Sequence, residues 1–79
     1  MKMYGLTEAQ FAAMFQAQNG KCALCPRPAE VVDHDHQTNT VRALLCFKCN
    51  SALGLFKENV STLRNAIVYL EKHNANRTL

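Results

Sequence analysis

The chain has 79 residues, 48% of them hydrophobic and 19% charged, which is enough for one folded domain (residues 1–79) and no second. That balance excludes a disordered segment, and the lack of a long apolar run excludes a membrane-spanning helix. The formal net charge of +3 falls to about +1 once four thiolates share one divalent ion, so a nucleic-acid partner has to be argued from local placement of cations.

The first predicted element is a helix. Thr7 with Gln10 three residues on makes a capping box, and Leu6 and Phe11 stand at hydrophobic-staple spacing. Phe11, Met14 and Phe15 form an apolar stripe at helical spacing, most simply a core face. Asn19-Gly20 then tolerates the left-handed turn that ends a helix. No leader pattern precedes this helix signal, so a reducing, cytoplasmic setting is expected, in which four cysteines serve better as metal ligands than as disulfides.

Cys22-Ala23-Leu24-Cys25 followed by Pro26-Arg27-Pro28 is a tight knuckle that cannot continue as helix. Glu30–His34 reads as a short strand, Gln37-Thr38-Asn39 as a turn, and Val41–Leu45 as a second strand antiparallel to the first. Cys46-Phe47-Lys48-Cys49 is a second knuckle. A short helix is expected to open at Asn50-Ser51-Ala52-Leu53, with an interruption near Gly54. A last helix starts near Asn59 or Ser61, both good caps, with Val60, Leu63, Ile67 and Leu70 as a core stripe. The segment from Asn74 to Leu79 reads as a frayed tail. The expected fold is thus small α+β: an N-terminal helix, a hairpin flanked by two knuckles, and one or two C-terminal helices.

Cys22-x-x-Cys25 and Cys46-x-x-Cys49 are separated by 20 residues, the spacing of a four-cysteine zinc site. Each pair grips an ion from one tight turn, and two such turns close a tetrahedral sulfur shell. With four protein ligands no position stays open, so this zinc is expected to be structural. In a chain that buries little core, its binding energy is also folding energy, on the order of 10 kcal/mol.

Between the knuckles lies Asp33-His34-Asp35-His36, which holds two of the three histidines and two of the six acidic residues. A filled zinc shell has no use for them, so they point to a second site. An imidazole near neutral pH takes a proton from water, and a carboxylate with an amide oxygen holds Mg²⁺ while leaving room for water and phosphate. That combination suits phosphodiester hydrolysis. Asn50, directly after the last cysteine, is the candidate partner, although an Asn there also serves as a helix cap. In an extended strand His34 and His36 share one face and Asp33 and Asp35 the other, so Asp33 and His34 converge only if the strand twists or ends there. Asp35 either orients a histidine or is simply solvated. Arg42 either contacts phosphate or pairs with an acidic neighbour.

Taken together, Cys22-x-x-Cys25, Asp33-His34-Asp35-His36 and Val41-Arg42-Ala43-Leu44-Leu45-Cys46-x-x-Cys49-Asn50 resemble the recombination endonuclease VII family, a branch of the HNH or His-Me finger nucleases. The resemblance runs from about Tyr4 to His73. It implies a zinc-stapled ββα-metal fold, with Asp33 and Asn50 holding one catalytic Mg²⁺ or Mn²⁺ and His34 as general base. His36 would lie at the scissile phosphate, and cleavage would leave 5′-phosphate and 3′-hydroxyl ends. Ala43 stands where the family pattern leads one to expect glycine. Members of this family carry a further C-terminal region and act as dimers on branched DNA. The sequence in hand stops after the nuclease unit, so the expectation is nicking of duplex DNA, a monomer over a dimer, and a host-cytoplasm setting if the source is a phage.

Lys21, Arg27, Arg42, Lys48 and Lys57 cluster around the knuckles and hairpin as candidate DNA contacts, although each alone is also an ordinary solvated cation. No base-reading helix is apparent, so low sequence specificity is expected. The competing readings are a non-catalytic zinc module that binds DNA or protein, and a small structural zinc subunit.

Overall fold

The computed structural model describes residues 5–74, in the order α1 (Glu8–Ala17), β1 (Val31–His34), β2 (Val41–Leu45), α2 (Phe47–Leu55) and α3 (Val60–Asn74). The expected small α+β arrangement is present, with three helices around a two-stranded antiparallel sheet. Residues 1–4 and 75–79, including all of the expected tail after Asn74, lie outside the described residues.

α1 starts where the capping box placed it. Gln10 N–H donates to Thr7 Oγ1 at 3.1 Å, and Thr7 N–H donates to Gln10 Oε1 at 2.8 Å, so two otherwise orphaned amides satisfy each other's residues. It ends through Asn19 (φ 54°) and Gly20 (φ 71°), with Gly20 N–H reaching back to the Phe15 carbonyl at 2.8 Å. A Cβ at Gly20 would stand 3.0 Å from Phe15 Cζ, so both the backbone angle and the ring above it call for glycine.

One side chain that sequence reading passed over docks α1 on the sheet. The Gln18 carboxamide accepts from Leu44 N–H at 3.0 Å and donates to the Leu44 carbonyl at 2.9 Å. It pairs with β2 as a neighbouring strand would, and also donates to the Lys21 carbonyl at 2.7 Å. Nothing in the helical periodicity marks Gln18, because its role is to the backbone of a residue 26 positions away.

The hairpin pairs Val31 with Leu45, Val32 with Leu44, Asp33 with Ala43 and His34 with Val41, and the register slips between Asp33 and His34. Its loop is closed by Asp35, whose Oδ1 accepts from Gln37 N–H at 2.8 Å and Thr38 N–H at 3.1 Å. Asp35 has a role beyond those considered for it, orienting a histidine or plain solvation. It is a turn former of the kind short acidic side chains favour.

The core sits around the cysteines. Cys22, Leu45 and Cys46 are buried together, with Cys25, Val31, Cys49 and Leu53 packed against them, and Val32 and Leu44 are buried nearby. The helical stripes contribute less than expected. Phe11 and Met14 are half-buried, and Phe15 is exposed. On α3, only Leu63 of the expected core stripe is half-buried, whereas Val60, Ile67 and Leu70 are each more than half exposed. α1 lies on β2 and α2 on β1, whereas α3 makes no comparable contact with the sheet among the described residues.

α2 differs from expectation at its start and in its interior, whereas α3 starts where it was expected. α2 opens at Phe47, inside the second knuckle, because Cys46 is itself the N-cap and its Sγ accepts from Cys49 N–H at 3.4 Å. It then runs through Gly54 to Leu55 without interruption, since one glycine costs a helix only about 1 kcal/mol. α3 begins at Val60, and Asn59 Oδ1 accepts from Thr62 N–H at 2.9 Å, as a cap does.

Candidate functional site

The four cysteines are free thiols whose Sγ atoms all lie within 4.8 Å of one another, with Cys25 and Cys46 at 3.6 Å. Four sulfurs bound tetrahedrally at about 2.3 Å from zinc are about 3.8 Å apart, so the group has the donors and dimensions for that ion. Its protonation is uneven. Burial works to raise the Cys22 thiol, but hydrogen bonds from the backbone of Cys46, Leu24 and Cys25 outweigh it and bring the group down to about 6. The Cys46 thiol is lowered as well, first by the Cys49 N–H. The Cys49 thiol, hydrogen-bonded to the Cys46 sulfur and half-buried, is pushed up to about 12. Sulfurs this close cannot all ionise unless a cation stands among them.

The cysteine cluster ties the two ends of the hairpin together, and the acidic and histidine residues lie at its far end. The Asp33 carboxylate is buried and gripped by Arg42: Nε donates to Oδ2 at 2.6 Å and Nη2 to Oδ1 at 3.0 Å. The remaining guanidinium nitrogen, Nη1, stands 2.8 Å from Glu58 Oε1. Hydrogen bonds to Asp33, and then to Glu58, raise the Arg42 pKa and hold the cation firmly charged. Arg42 therefore pairs with acidic neighbours.

β1 ends at His34, at the register slip that separates it from Asp33. The irregularity falls where a regular strand would have sent the two side chains to opposite faces. The His34 and His36 rings meet edge to face with centroids 4.8 Å apart. His36 is otherwise exposed, with Nε2 at 3.6 Å from Glu58 Oε2. Asn50 is exposed in the first turn of α2, the helix that packs on β1. A cleft of about 550 Å³ opens beside this group, lined by Asp35, His36, Gln37, Arg42, Gly54, Lys57 and Glu58.

Glu58 was not among the residues singled out from the sequence. It sits in the turn between α2 and α3, where Lys57 (φ 54°) and Glu58 (φ 55°) are both left-handed. For side-chain-bearing residues this costs about 1 kcal/mol or more each. The turn is held by Lys57 N–H to the Gly54 carbonyl at 2.9 Å and Glu58 N–H to the Leu53 carbonyl at 2.8 Å. Consecutive Lys-Glu carries no turn signature, so only the folded chain reveals it.

Of the other cations, Lys57 lines the cleft, Lys48 is exposed on α2, and Lys21 and Arg27 are exposed at the first knuckle. There, Cys22 N–H donates to the Arg27 carbonyl at 2.8 Å.

Fold and site together define a β-hairpin and helix domain fastened by four cysteines and presenting an Asp-His pair at the hairpin end. The model of the recombination endonuclease VII family matches residues 1–72, and the chain belongs to that family. Among similar proteins, the "Gene 59 protein" of Mycobacterium phage D29 is 40% identical over 75 residues, covering 87% of this chain and 46% of the relative. The "Gene 59 protein" of Mycobacterium phage L5 is 37% identical over 73 residues, covering 85% of this chain and 44% of the relative. The chain thus spans about half the length of these relatives. No helix among the described residues is long and apolar enough to cross a membrane.

Proposed function

We propose that the chain is a metal-dependent DNA endonuclease of the HNH type that hydrolyses phosphodiester bonds with low sequence specificity. The observation that supports this best is the hairpin end itself. There, an imidazole pair at 4.8 Å adjoins a buried carboxylate, and the helix carrying Asn50 packs on the same strand.

In this reading His34 takes the proton from the attacking water, and its contact with His36 limits the orientations of its ring. His36, largely exposed, donates to a non-bridging oxygen of the phosphate. Asp33 and Asn50 hold Mg²⁺ or Mn²⁺. The donor set fits: a hard cation takes carboxylate and amide oxygens, and each Asp33 oxygen gives only one lone pair to Arg42, leaving others free. When bound, that ion offsets charge on the phosphate and leaving oxygen. The cysteines hold a structural zinc that fixes both hairpin ends. Lys57, Lys48, Lys21 and Arg27 face the DNA backbone, so binding weakens as salt rises.

The test is supercoiled plasmid incubated with and without Mg²⁺ or Mn²⁺. Wild type converts it to nicked circles only with the divalent ion. His34→Ala loses at least a hundredfold in rate while keeping its zinc and its melting temperature. DNA retention with no turnover under any metal would instead establish a non-catalytic binding module. Nicked against linear product, in turn, reads out single-strand against double-strand cutting.

A further inference from the structure

We infer that Glu58 is a positioning residue for this site, acting through Arg42 on the Asp33 carboxylate; the inference rests on Asp33 being a metal ligand. Three observations converge. Arg42 binds Asp33 through Nε and Nη2 and Glu58 through Nη1, so one rigid plane joins the two carboxylates. Asp33 lies on β1 and Glu58 in the α2–α3 turn, so the guanidinium bridges the hairpin to the helices. The turn that presents Glu58 holds two successive left-handed residues, a conformation that persists only where surrounding contacts over-determine it.

The geometry assigns a direction to the effect. A guanidinium fork gripping only Asp33 can swing about its own long side chain. Fixing the third nitrogen to Glu58 removes that swing, and with it the freedom of the Asp33 oxygens. Metal ligands are held by hydrogen bonds from neighbours, and losing such a neighbour typically weakens metal binding or activity ten- to a hundredfold. Glu58 acts one residue further out, so the lower end, about tenfold, is expected.

The experiment uses Glu58→Gln and Glu58→Ala in the zinc-loaded chain. Mn²⁺ binding is measured by the loss of the free-ion electron paramagnetic resonance signal without DNA, and plasmid nicking is measured as a function of both Mn²⁺ and DNA. Zinc content and circular dichroism identify any variant that fails to fold, and Glu58→Gln, which keeps the side chain's shape, keeps the test open if Glu58→Ala does. The expected result for Glu58→Ala is a Mn²⁺ midpoint about tenfold higher and a lower kcat at fixed Mn²⁺. Glu58→Gln should shift less in the same direction, because its amide oxygen still accepts from Nη1 but without the charge. KM for DNA should be unchanged or lower in both, because an acidic side chain has been neutralised near the phosphates. A carboxylate that merely repelled DNA would give faster nicking and an unmoved Mn²⁺ midpoint, which overturns the inference. A wild type that nicks plasmid and binds Mn²⁺, with variants identical to it, overturns the role of Glu58 alone. A wild type that does neither overturns the nuclease reading and this inference with it.

Discussion

The Arg42 guanidinium meets the Asp33 carboxylate with two parallel bonds, at 2.6 and 3.0 Å, across the register slip of the hairpin. The pair is unequal in exposure: the Asp33 side chain is 10% accessible and that of Arg42 37%. The carboxylate is therefore the partner that suffers when the pair is broken.

Removing Arg42 should leave a desolvated acceptor without its charged donors. Arg42→Ala is expected to cost about 2 kcal/mol of stability, the penalty for a buried acceptor stripped of its partner. Arg42→Lys should recover less than half of this, because a single ammonium cannot reproduce the fork. Urea unfolding of both variants reads this directly, and an unchanged denaturation midpoint for Arg42→Ala would show that water replaces the pair without loss.

Gln18 offers a test of how α1 is attached. Its carboxamide satisfies both the N–H and the carbonyl of Leu44, a residue with no exposed surface. Gln18→Ala strands the Leu44 N–H, whereas the carbonyl keeps the Ala23 N–H at 3.0 Å, and the loss should destabilise the chain by about 1–3 kcal/mol. Gln18→Glu keeps the acceptor for Leu44 N–H but sets a carboxylate against the Leu44 and Lys21 carbonyls, so it should be no better than alanine at neutral pH. Equilibrium unfolding measures both, and amide exchange at Leu44 should accelerate in each. Full retention of protection at Leu44 would mean that α1 is held by its apolar residues instead.

These two contacts also mark the limits of what the sequence made legible. The capping box at Thr7 is a short-range signal whose partner lies three positions away, and the two cysteine knuckles are recognisable because each repeats the same two-residue spacing; the box forms and the four sulfurs cluster as read. The Asp33-His34-Asp35-His36 run stood out as a cluster, but not the pairing of Asp33 with Arg42 or the turn that Asp35 closes. Gln18 and Glu58 were not visible, because each acts on a partner far along the chain through a conformation no local pattern encodes. The exposed face of α3 went unforeseen for a similar reason. Periodicity tells which residues share a face, whereas whether anything covers that face is decided by tertiary packing that no local pattern encodes.

Asp35 makes a pH-dependent prediction. Its carboxylate is held below the ordinary value of 3.8, chiefly by the backbone N–H groups of Thr38 and Gln37. A depressed carboxyl stabilises the folded chain fully at pH above its unfolded value, and that contribution is lost only as pH falls through the lower, folded value. The stability difference between wild type and Asp35→Ala should thus stay constant from about pH 8 to about pH 5, where the zinc-loaded fold can still be measured and the carboxylate is ionised in both states. A difference that already closes by pH 5 would show that the loop amides do not favour the ionised form.

Cys46 should be the most sensitive position in the chain. It is fully buried, caps α2 through its sulfur, and stands 3.6 Å from Cys25 Sγ. Cys46→Ser keeps a cap acceptor but replaces a soft thiolate with a hydroxyl that does not ionise near neutral pH, so the sulfur shell loses a ligand. If zinc supplies on the order of 10 kcal/mol to folding, neither the residual three-sulfur site nor so small a core can compensate. The variant should bind substoichiometric zinc and unfold at low concentrations of a chelator that leave the wild type folded. Acid should do the same to the wild type: the ion requires thiolates, and zinc retention must fall as pH drops and protons compete for the sulfurs. Zinc content after gel filtration, followed as a function of pH and chelator, measures both effects. A Cys46→Ser chain that kept one zinc per molecule and an unaltered melt would show that the metal is not what fastens the hairpin.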